Sequence, residues 1–452
     1  MGPDERPHGT RGRVAPRFAA AVASTFGTRL AVAALSFASI LIVARALGAE
    51  GRGEVALLLT IASVSAQLAR FGVEEANANL AGSEPGRRPA LATNSVVLAL
   101  AAGAAAVCLL VPLLAAFPAL RAGLDWNVVF LALAVIPLLI LQAYLTFIVR
   151  ADYGFAVTNV AWLIGPLLTA VVNLVLAGLG ELTVASAFGA WVAAHALATV
   201  LLAIYVARSL AGFGRPDLSL ARRMLSFGFR AYVGRVLMVG NYRVDQWFVG
   251  GIAGTRELGL YSVAVAWAEM LFYLPTVLVL VQRPYLVRAS REDAAARAVR
   301  VFRIGLLLTL PAAVGIVVAA PFLCSTIFGP EFGGAVDDLR VLALGAFGIV
   351  ALQQLGNALT AQRRPGLATV AAAVAFVVTI ALDVALVAPL GGLGAAIAST
   401  CAYVVGGLAV TFLFVREFRV PPAGMVPRAR DVRHLGDELR RGRRTGATGP
   451  RT

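Results

Sequence analysis

The chain has 452 residues, of which 59% are hydrophobic and only 14% carry a charge. No soluble globular domain of this length has such a composition, so the sequence predicts an integral membrane protein. The formal net charge is +15 and all 39 basic residues are arginines. Their placement, described below, favours a role in membrane topology and excludes a nucleic-acid-binding surface.

Twelve stretches are long and apolar enough to cross the roughly 30 Å hydrocarbon core, which takes about 20 helical residues. In chain order they cover residues 18–43, 54–77, 91–117, 127–150, 156–179, 182–207, 223–250, 258–281, 300–320, 337–361, 366–388 and 392–415. The connecting segments are short, and the segment 284–303 between the eighth and ninth stretches predicts an interfacial amphipathic helix.

Two short matches relate the halves of the chain. The letters FGTR at Phe26–Arg29 recur as FGFR at Phe227–Arg230, each in the first helix of a set of six. NLVLAGLG, from Asn173, is matched by DVALVAPLG, from Asp383, each in a fifth helix. Six helices return the chain to its starting side, so the repeats are parallel, as in transporters with a site between their halves. The predicted fold is an all-α membrane protein with twelve transmembrane helices in two parallel six-helix bundles.

The arginines set the predicted orientation. With the N-terminus inside, most of the 39 arginines fall in inward segments and few in outward ones, which is the positive-inside pattern. Both termini are therefore predicted to be cytoplasmic, on a multi-pass protein of a cell membrane. The predicted domains are an N-terminal tail (1–17), a first bundle (18–208), a cytoplasmic linker (209–222), a second bundle (223–416) and a disordered arginine-rich tail (417–452).

Several charged residues lie inside the predicted spans. At 1.5 Å per residue, Arg29, Arg235 and Glu269 are close to the midplane of the membrane and Arg230 is slightly nearer the inside. Facing lipid, each charge would cost several kcal/mol, so these side chains are expected to face protein or a water-filled cavity. Helical periodicity puts Arg230 on one face with Asn241 and Asp245.

Two interpretations of these charges remain open. Buried ion pairs could lock the halves together. Alternatively, a cationic cavity could bind an anionic ligand through the guanidinium groups, because these bind phosphate bidentately. The second interpretation assigns substrate binding to Arg29, Arg230, Arg235 and Asn241. It leaves Glu269, Asp245 and Asp383 for ion pairing or for coupling to an ion.

The sequence predicts no cofactor and no metal site. Its three cysteines and three histidines are scattered, without the spacing of a disulfide framework or of metal ligands. The glycine-rich phosphate-binding loop of ATPases is also missing from the sequence.

Four stretches resemble one known family. They are ARALGAEGRGEVALLLT (44–60), RVDQWFVGGIAGTRELGLYSVA (243–264), IFGPEFGGAV (327–336) and LGGLGAAIAST (390–400). They are similar to segments of the polysaccharide flippases of the MOP exporter superfamily, the Wzx-type translocases of bacterial inner membranes. The resemblance covers about residues 18–416.

The resemblance implies a V-shaped pair of six-helix bundles that alternate access to a cationic cavity. The implied substrate is an oligosaccharide linked to a polyprenyl diphosphate, and charged residues on the first helix of each half would meet the diphosphate. Arg29 and the arginines of the seventh helix match those places. Expected partners are membrane lipids, a polysaccharide polymerase and glycosyltransferases, with no nucleic acid. Where relatives often have asparagine, this chain has Asp383.

Other functions were weighed against this one. A MATE-type ion-coupled exporter shares the superfamily fold but is expected to carry acids in its cavity. A non-transporting membrane component of a polysaccharide-synthesis complex would use its buried arginines only for packing. An enzyme of the same pathway is expected to have a large outer catalytic loop, and the longest outer loop predicted here, 321–336, cannot hold one. The chain is therefore predicted not to be an enzyme.

Overall fold

The computed structural model describes residues 18–210 and 212–427; the side chains of 18–23, 230, 231, 235, 280, 281, 284 and 288 lie outside the description. All regular structure in these ranges is helical, with no strand. The predicted N-terminal tail and most of the C-terminal tail fall outside the described residues.

Twelve α-helices account for the fold. The first half contains α1 (Phe18–Leu68), α2 (Val73–Ser83), α3 (Arg88–Ala116), α4 (Trp126–Ala134), α5 (Ile136–Ala151), α6 (Phe155–Leu179) and α7 (Val184–Ser209). The second half contains α8 (Leu218–Phe248), α9 (Thr255–Arg288), α10 (Arg291–Pro321), α11 (Ala335–Ala361) and α12 (Pro365–Phe418).

Two of these helices are sharply kinked at glycines. Gly48 in α1 has φ 69° and Gly391 in α12 has φ 57°, a left-handed conformation that favours glycine. Each kink takes the place of a connection between two predicted helices, so α1 and α12 each cross the membrane twice. Since α4 and α5 together make one crossing and α2 only extends α1, the chain makes twelve crossings, as predicted.

Hydropathy alone finds fewer spans. Eight helices of the described residues are long and apolar enough to cross a membrane, and they include kinked α1 and α12. The helices outside this set are α8, α11 and the short α2. Helix α8 carries Arg222, Arg223, Arg243 and Asp245 besides the two arginines predicted to be functional, which explains its polarity.

The amphipathic segment 284–303 does not form a separate interfacial helix. Helix α9 continues to Arg288, and α10 begins at Arg291 and runs directly into the next crossing. The Ser290 hydroxyl caps α10 by accepting a hydrogen bond from the Asp293 amide at 3.2 Å. A capped helix start and a short break therefore replace the predicted surface helix.

The twelve crossings produce two distinct ends. The arginine-rich end holds the connections at 84–87, 152–154, 210–217, 289–290 and 362–364. The arginine-poor end holds the kinks at Gly48 and Gly391 and the connections at 117–125, 180–183, 249–254 and 322–334. Because the chain alternates between these ends at each crossing, both halves begin at the arginine-rich end and are parallel.

Small residues permit close contacts between the halves. At the arginine-poor end, Gly53 lies against the carbonyl oxygen of Thr255, and Gly259 lies against that of Ala49. At the arginine-rich end, Gly72 and Gly228 touch through their backbones. Lipid tails are as apolar as the helix surfaces, so such packing is a main source of helix association in membranes.

Candidate functional site: a cavity between the halves

A cavity of about 930 Å³ lies between the two halves. Its walls come from α1 in the first half and from α8 and α9 in the second, with Trp191 of α7. Its polar and charged lining residues are Ser36, Arg52, Thr60, Ser63, Arg243, Gln246, Ser262 and Glu269. We call this space the central cavity.

Glu269 has a charged partner in this cavity. Arg243 Nη1 lies 2.9 Å from Glu269 Oε1, and both side chains are about one-third exposed. The sequence placed Glu269 near the midplane without indicating Arg243 as its partner. The structure joins the two across α8 and α9, which favours ion pairing for Glu269 in this conformation.

Arg29 contacts an aromatic ring near a second cavity. Its guanidinium carbon lies 5.1 Å from the ring centre of Trp162, and that of Arg150 lies 3.7 Å from the same ring. Both distances fit cation–π contacts. Arg150 also donates to the Thr158 hydroxyl at 3.3 Å, while its Nη2 atom is buried without a hydrogen-bond partner. The two arginines therefore form a cationic cluster on one indole.

Trp162 belongs to a pocket of about 460 Å³ inside the first half, which we call the first-half pocket. Helices α1, α5, α6 and α7 line it. Ser36, Ile40, Arg52, Leu59 and Trp191 line both this pocket and the central cavity, so the two spaces adjoin.

Arg52 stands between the two spaces. Only 6% of its surface is exposed, and its Nε atom is buried without a hydrogen-bond partner. The described residues supply no ion pair to it. A buried, unpaired guanidinium is costly, so the free groups of Arg52 are available for an anion that enters either space.

Two aspartates lie in the second half between α8 and α12. Asp245 accepts hydrogen bonds from the Tyr261 hydroxyl at 2.5 Å, the Gln246 amide at 2.7 Å and the Ser399 hydroxyl at 3.1 Å. Asp383 is fully buried, and neither of its carboxylate oxygens has a hydrogen-bond partner in the described part of the chain. Asn241 is in the same region, where its Oδ1 accepts from Thr379 at 2.6 Å.

The structure therefore separates the residues that the sequence grouped. Glu269 lines the central cavity, Arg29 lies on Trp162, and Asn241, Asp245 and Asp383 form an interior polar cluster that lines neither described cavity. Arg230 and Arg235 are on α8, but their side chains lie outside the described residues.

Sequence reasoning missed Arg52 and Arg150. Arg52 fell in the segment between the first two predicted helices, and Arg150 was counted with the inward basic residues. The signal for Arg52 was its closeness to Gly48, because a tight kink there brings the next turn of helix back into the membrane.

Comparison with known proteins decides the family. The sequence profile described as "Polysaccharide biosynthesis protein" matches residues 42–337, more than half of the chain. The chain belongs to this family. A search among curated proteins finds no match.

Solved structures confirm the fold. One is the lipid II flippase MurJ in an inward closed conformation, with TM-score 0.69, 14% identity and coverage of 88% of this chain and 89% of that one. A MATE-family multidrug resistance transporter in an inward-facing conformation gives TM-score 0.68 and 16% identity, over 86% of this chain and 94% of that one.

A third structure is a MOP-superfamily transporter from Pyrococcus furiosus, described as having a binding pocket of reversed polarity. Its TM-score is 0.58 at 14% identity, covering 89% of this chain and 95% of that one. At these identities the likeness concerns the fold. The chain is a multi-pass membrane protein with the fold of the MOP superfamily, and the predicted resemblance is confirmed.

Proposed function

We propose that this protein transfers an oligosaccharide linked to a lipid diphosphate across the membrane by alternating access through the central cavity. The observation that carries this proposal is the excess of arginine over acid around the two adjoining spaces. Arg29, Arg52 and Arg150 have no carboxylate partner among the described residues, whereas Arg243 is matched by Glu269. A cationic exporter substrate would be repelled by this arrangement.

The diphosphate is assigned to the cluster on Trp162. Arg29 and Arg150 offer planar groups with several donors each, which suits bidentate contact with phosphate oxygens. Arg230 and Arg235 are proposed to complete this site from α8, in the corresponding first helix of the second half. MurJ, which has the same fold, is a lipid II flippase, and this supports a lipid-linked substrate.

Coupling is assigned to the interior polar cluster of the second half. Asp245 and Asp383 are close enough for their charges to interact, and Asp383 has no hydrogen-bond partner among the described residues. Buried acids in membrane proteins commonly take up protons or cations. We propose that one of these binds here, with Asn241 and Thr379 helping to position the cluster, and that Glu269 acts through its pair with Arg243.

The arginine distribution supports a bacterial inner membrane location with both termini in the cytoplasm, so that the arginine-rich end faces inward. In this setting the substrate would come from glycosyltransferases and pass to a polysaccharide polymerase. The protein would itself form no covalent bond and would act as a transporter, not as an enzyme.

The test uses the full chain in liposomes that contain a fluorescent polyprenyl diphosphate sugar. Accessibility of the sugar to an external quencher reports transfer. Arg29→Gln and Arg150→Gln should each reduce transfer about tenfold or more, since each removes a charge-assisted hydrogen bond. Arg340→Gln is the matched control, because Arg340 is a surface residue paired with Asp337.

Two results would contradict the proposal. One is unchanged transfer in folded Arg29→Gln and Arg150→Gln variants. The other is no transfer by the wild type together with efflux of a cationic dye that depends on Glu269, which would indicate a MATE-type exporter.

A further inference from the structure

The first-half pocket extends beyond the space that a phosphate group would occupy. It runs along α1 and α6 from Trp162, which carries the Arg29 and Arg150 cluster, to Asn173 and Arg52. Its volume of about 460 Å³ is in the range of small-molecule sites. The pocket also adjoins the central cavity, because the two spaces share lining residues on α1 and α7.

One charge dominates this pocket. Arg52 is buried. Within the described ranges it has no ion pair, and its Nε atom donates no hydrogen bond. None of the residues that line the pocket is acidic, and the other titratable side chain there is His195. The His195 ring is held by Gln142, with Nδ1 and Oε1 2.7 Å apart, and its ring centre lies 4.3 Å from that of Trp191. The arrangement suits one negative charge on the ligand.

The rest of the polar wall is neutral and partly unsatisfied. Asn173 is 1% exposed, and its Nδ2 atom donates to the Ser39 hydroxyl at 3.1 Å, but its Oδ1 atom is buried and accepts no hydrogen bond from the part of the chain that the structure describes. Buried acceptors of this kind are normally paired, so Asn173 Oδ1 lacks a donor. A hydroxyl group on the ligand would supply that donor. Thr169 and Ser36 add further hydroxyls to the wall.

Distance separates Arg52 from the proposed diphosphate site. Arg29 and Arg52 are on opposite arms of the α1 kink, so the chain runs away from Arg29 along one arm and returns along the other to Arg52. At 1.5 Å per residue, the net distance between the two residues along the helix axis is roughly 20 Å. A single diphosphate is too small to contact both. The pocket between them is therefore left for the part of the substrate attached to the diphosphate.

We propose that the first-half pocket binds an acidic sugar, with its carboxylate on Arg52 and a hydroxyl on Asn173 Oδ1. The statement that this sugar belongs to the transported glycan rests on the proposed function. The binding itself does not, so the two can be tested apart.

The first experiment measures binding by the full chain in detergent, followed by tryptophan fluorescence. D-Glucuronate should change the emission in a saturable way, and D-glucose at equal concentration should not. Arg52→Gln should weaken glucuronate binding about tenfold or more, because a charge-assisted hydrogen bond is lost. Arg52→Lys should recover part of it, and Arg340→Gln should bind like the wild type. Thermal unfolding of each variant verifies that it is folded.

Several results would overturn the proposal. These are no saturable response to glucuronate, equal responses to glucose and glucuronate, or unchanged binding by folded Arg52→Gln. Inorganic diphosphate serves as a competitor. If it binds more tightly than glucuronate and depends equally on Arg52, then Arg52 belongs to the diphosphate site and the acidic-sugar assignment is wrong.

The second experiment compares transfer of two polyprenyl diphosphate disaccharides that differ only in glucose or glucuronic acid as the distal sugar. The wild type should prefer the acidic substrate, and Arg52→Gln should remove the preference while retaining transfer of the neutral one. Equal losses on both substrates would contradict sugar recognition by Arg52. If the wild type transfers neither substrate, the proposed function fails, and the binding experiment still decides the acidic-sugar site.

Discussion

Two buried aspartates in the second half have opposite environments. Asp245 accepts three hydrogen bonds, whereas Asp383 accepts none in the described structure. Burial of a carboxyl without partners costs free energy. A protein keeps such a group only where another requirement demands it. At the scale of single residues, this contrast supports the coupling role proposed for Asp383.

The contrast predicts opposite effects on stability. Asp383→Asn should leave the free energy of unfolding unchanged or raise it by about 1 kcal/mol, since it removes an unpaired buried acid. Asp245→Ala should lower it by about 2–3 kcal/mol, because donors on Tyr261 and Ser399 lose their acceptor. Thermal unfolding in detergent measures both. A clear loss of stability in Asp383→Asn would show that this carboxyl has a structural role.

The pair of Arg243 and Glu269 can be examined by a double-mutant cycle. Arg243→Gln and Glu269→Gln should each reduce stability, and the double variant should lose less than the sum of the two. A coupling of about 0.5–1 kcal/mol is expected, because partial exposure weakens the attraction. Additive effects would mean that the ion pair contributes nothing to stability. Arg243 and Glu269 would then have to be counted as two separate charges of the central cavity.

Candidate site residues could be selected from the sequence only in part. Arg29 and Glu269 were candidates because a charge inside an apolar run stands out in any sequence. Arg52 and Arg150 were missed because each looked like an ordinary charge near the end of a helix. Contacts across helices, such as Arg150 on Trp162, depend on side-chain directions that one sequence does not reveal.

At the scale of helices, α1 is the element that connects the two halves. Its kink at Gly48 puts Ala49 and Gly53 against Gly259 and Thr255 of α9. On the same side, Arg45 donates to the carbonyl oxygens of Thr326 and Ile327 at 3.0 Å and 2.8 Å. These contacts close the arginine-poor end of the central cavity.

Closure at this end predicts a specific effect of added methyl groups. In Gly53→Ala or Gly259→Ala, the new Cβ atom would collide with a backbone carbonyl of the other half, so the arginine-poor end should open. In an isolated helix, replacing glycine with alanine stabilises the helix by about 1 kcal/mol. Opening in these variants would therefore come from the collision and not from weaker helix formation. Labelling of a cysteine introduced at Ala266 in the central cavity, from the arginine-poor side, measures the opening.

Gly315→Ala is the matched control for these two variants. Gly315 lies in α10 with nothing near the position of an added Cβ atom, so labelling should equal that of the parent protein. Equal labelling of all three glycine variants would indicate that the close contacts do not limit access.

Helix positions followed well from the sequence because the spans are long apolar runs. The errors occurred where the chain turns. The predicted breaks before 54 and after 388 are kinks within continuous helices, which glycine permits through a positive φ. The predicted surface helix at 284–303 is wrong because this segment is divided between the end of α9 and the start of α10, with only residues 289 and 290 between them.

At the scale of the whole molecule, arginine placement and contacts between halves describe the same two ends. The arginine-rich end is closed by the backbones of Gly72 and Gly228 and by a hydrogen bond from the Tyr232 hydroxyl to the carbonyl oxygen of Leu68. Both ends of the central cavity are thus bridged in this conformation. The sequence predicted the crossings, but it could not predict this state, because the same helices can pack with either end of the cavity open or closed.

One ion pair joins the halves at the arginine-rich end. Arg223 Nη2 of α8 lies 2.5 Å from Glu84 Oε1, just after α2. The hydrogen bond from Arg223 lowers the pKa of Glu84 from its usual 4.5, and the nearby charges of Arg223 and Arg87 lower it further. Because this pKa is lower in the paired state, pairing favours closure fully above pH 4.5 and is lost as the pH falls through the lowered pKa.

Glu84→Gln should therefore shift the protein towards opening at the arginine-rich end, and acid should do the same to the wild type but not to the variant. Spin labels on α2 and α8 near this end would report a longer distance between the halves. Arg87→Gln is the control, since Arg87 also contacts Glu84 at 3.2 Å but belongs to the same half. An equal shift in Arg87→Gln would mean that the negative charge of Glu84 matters only within the first half. A distance that does not change in Glu84→Gln or in acid would show that the glycine and tyrosine contacts alone keep this end closed.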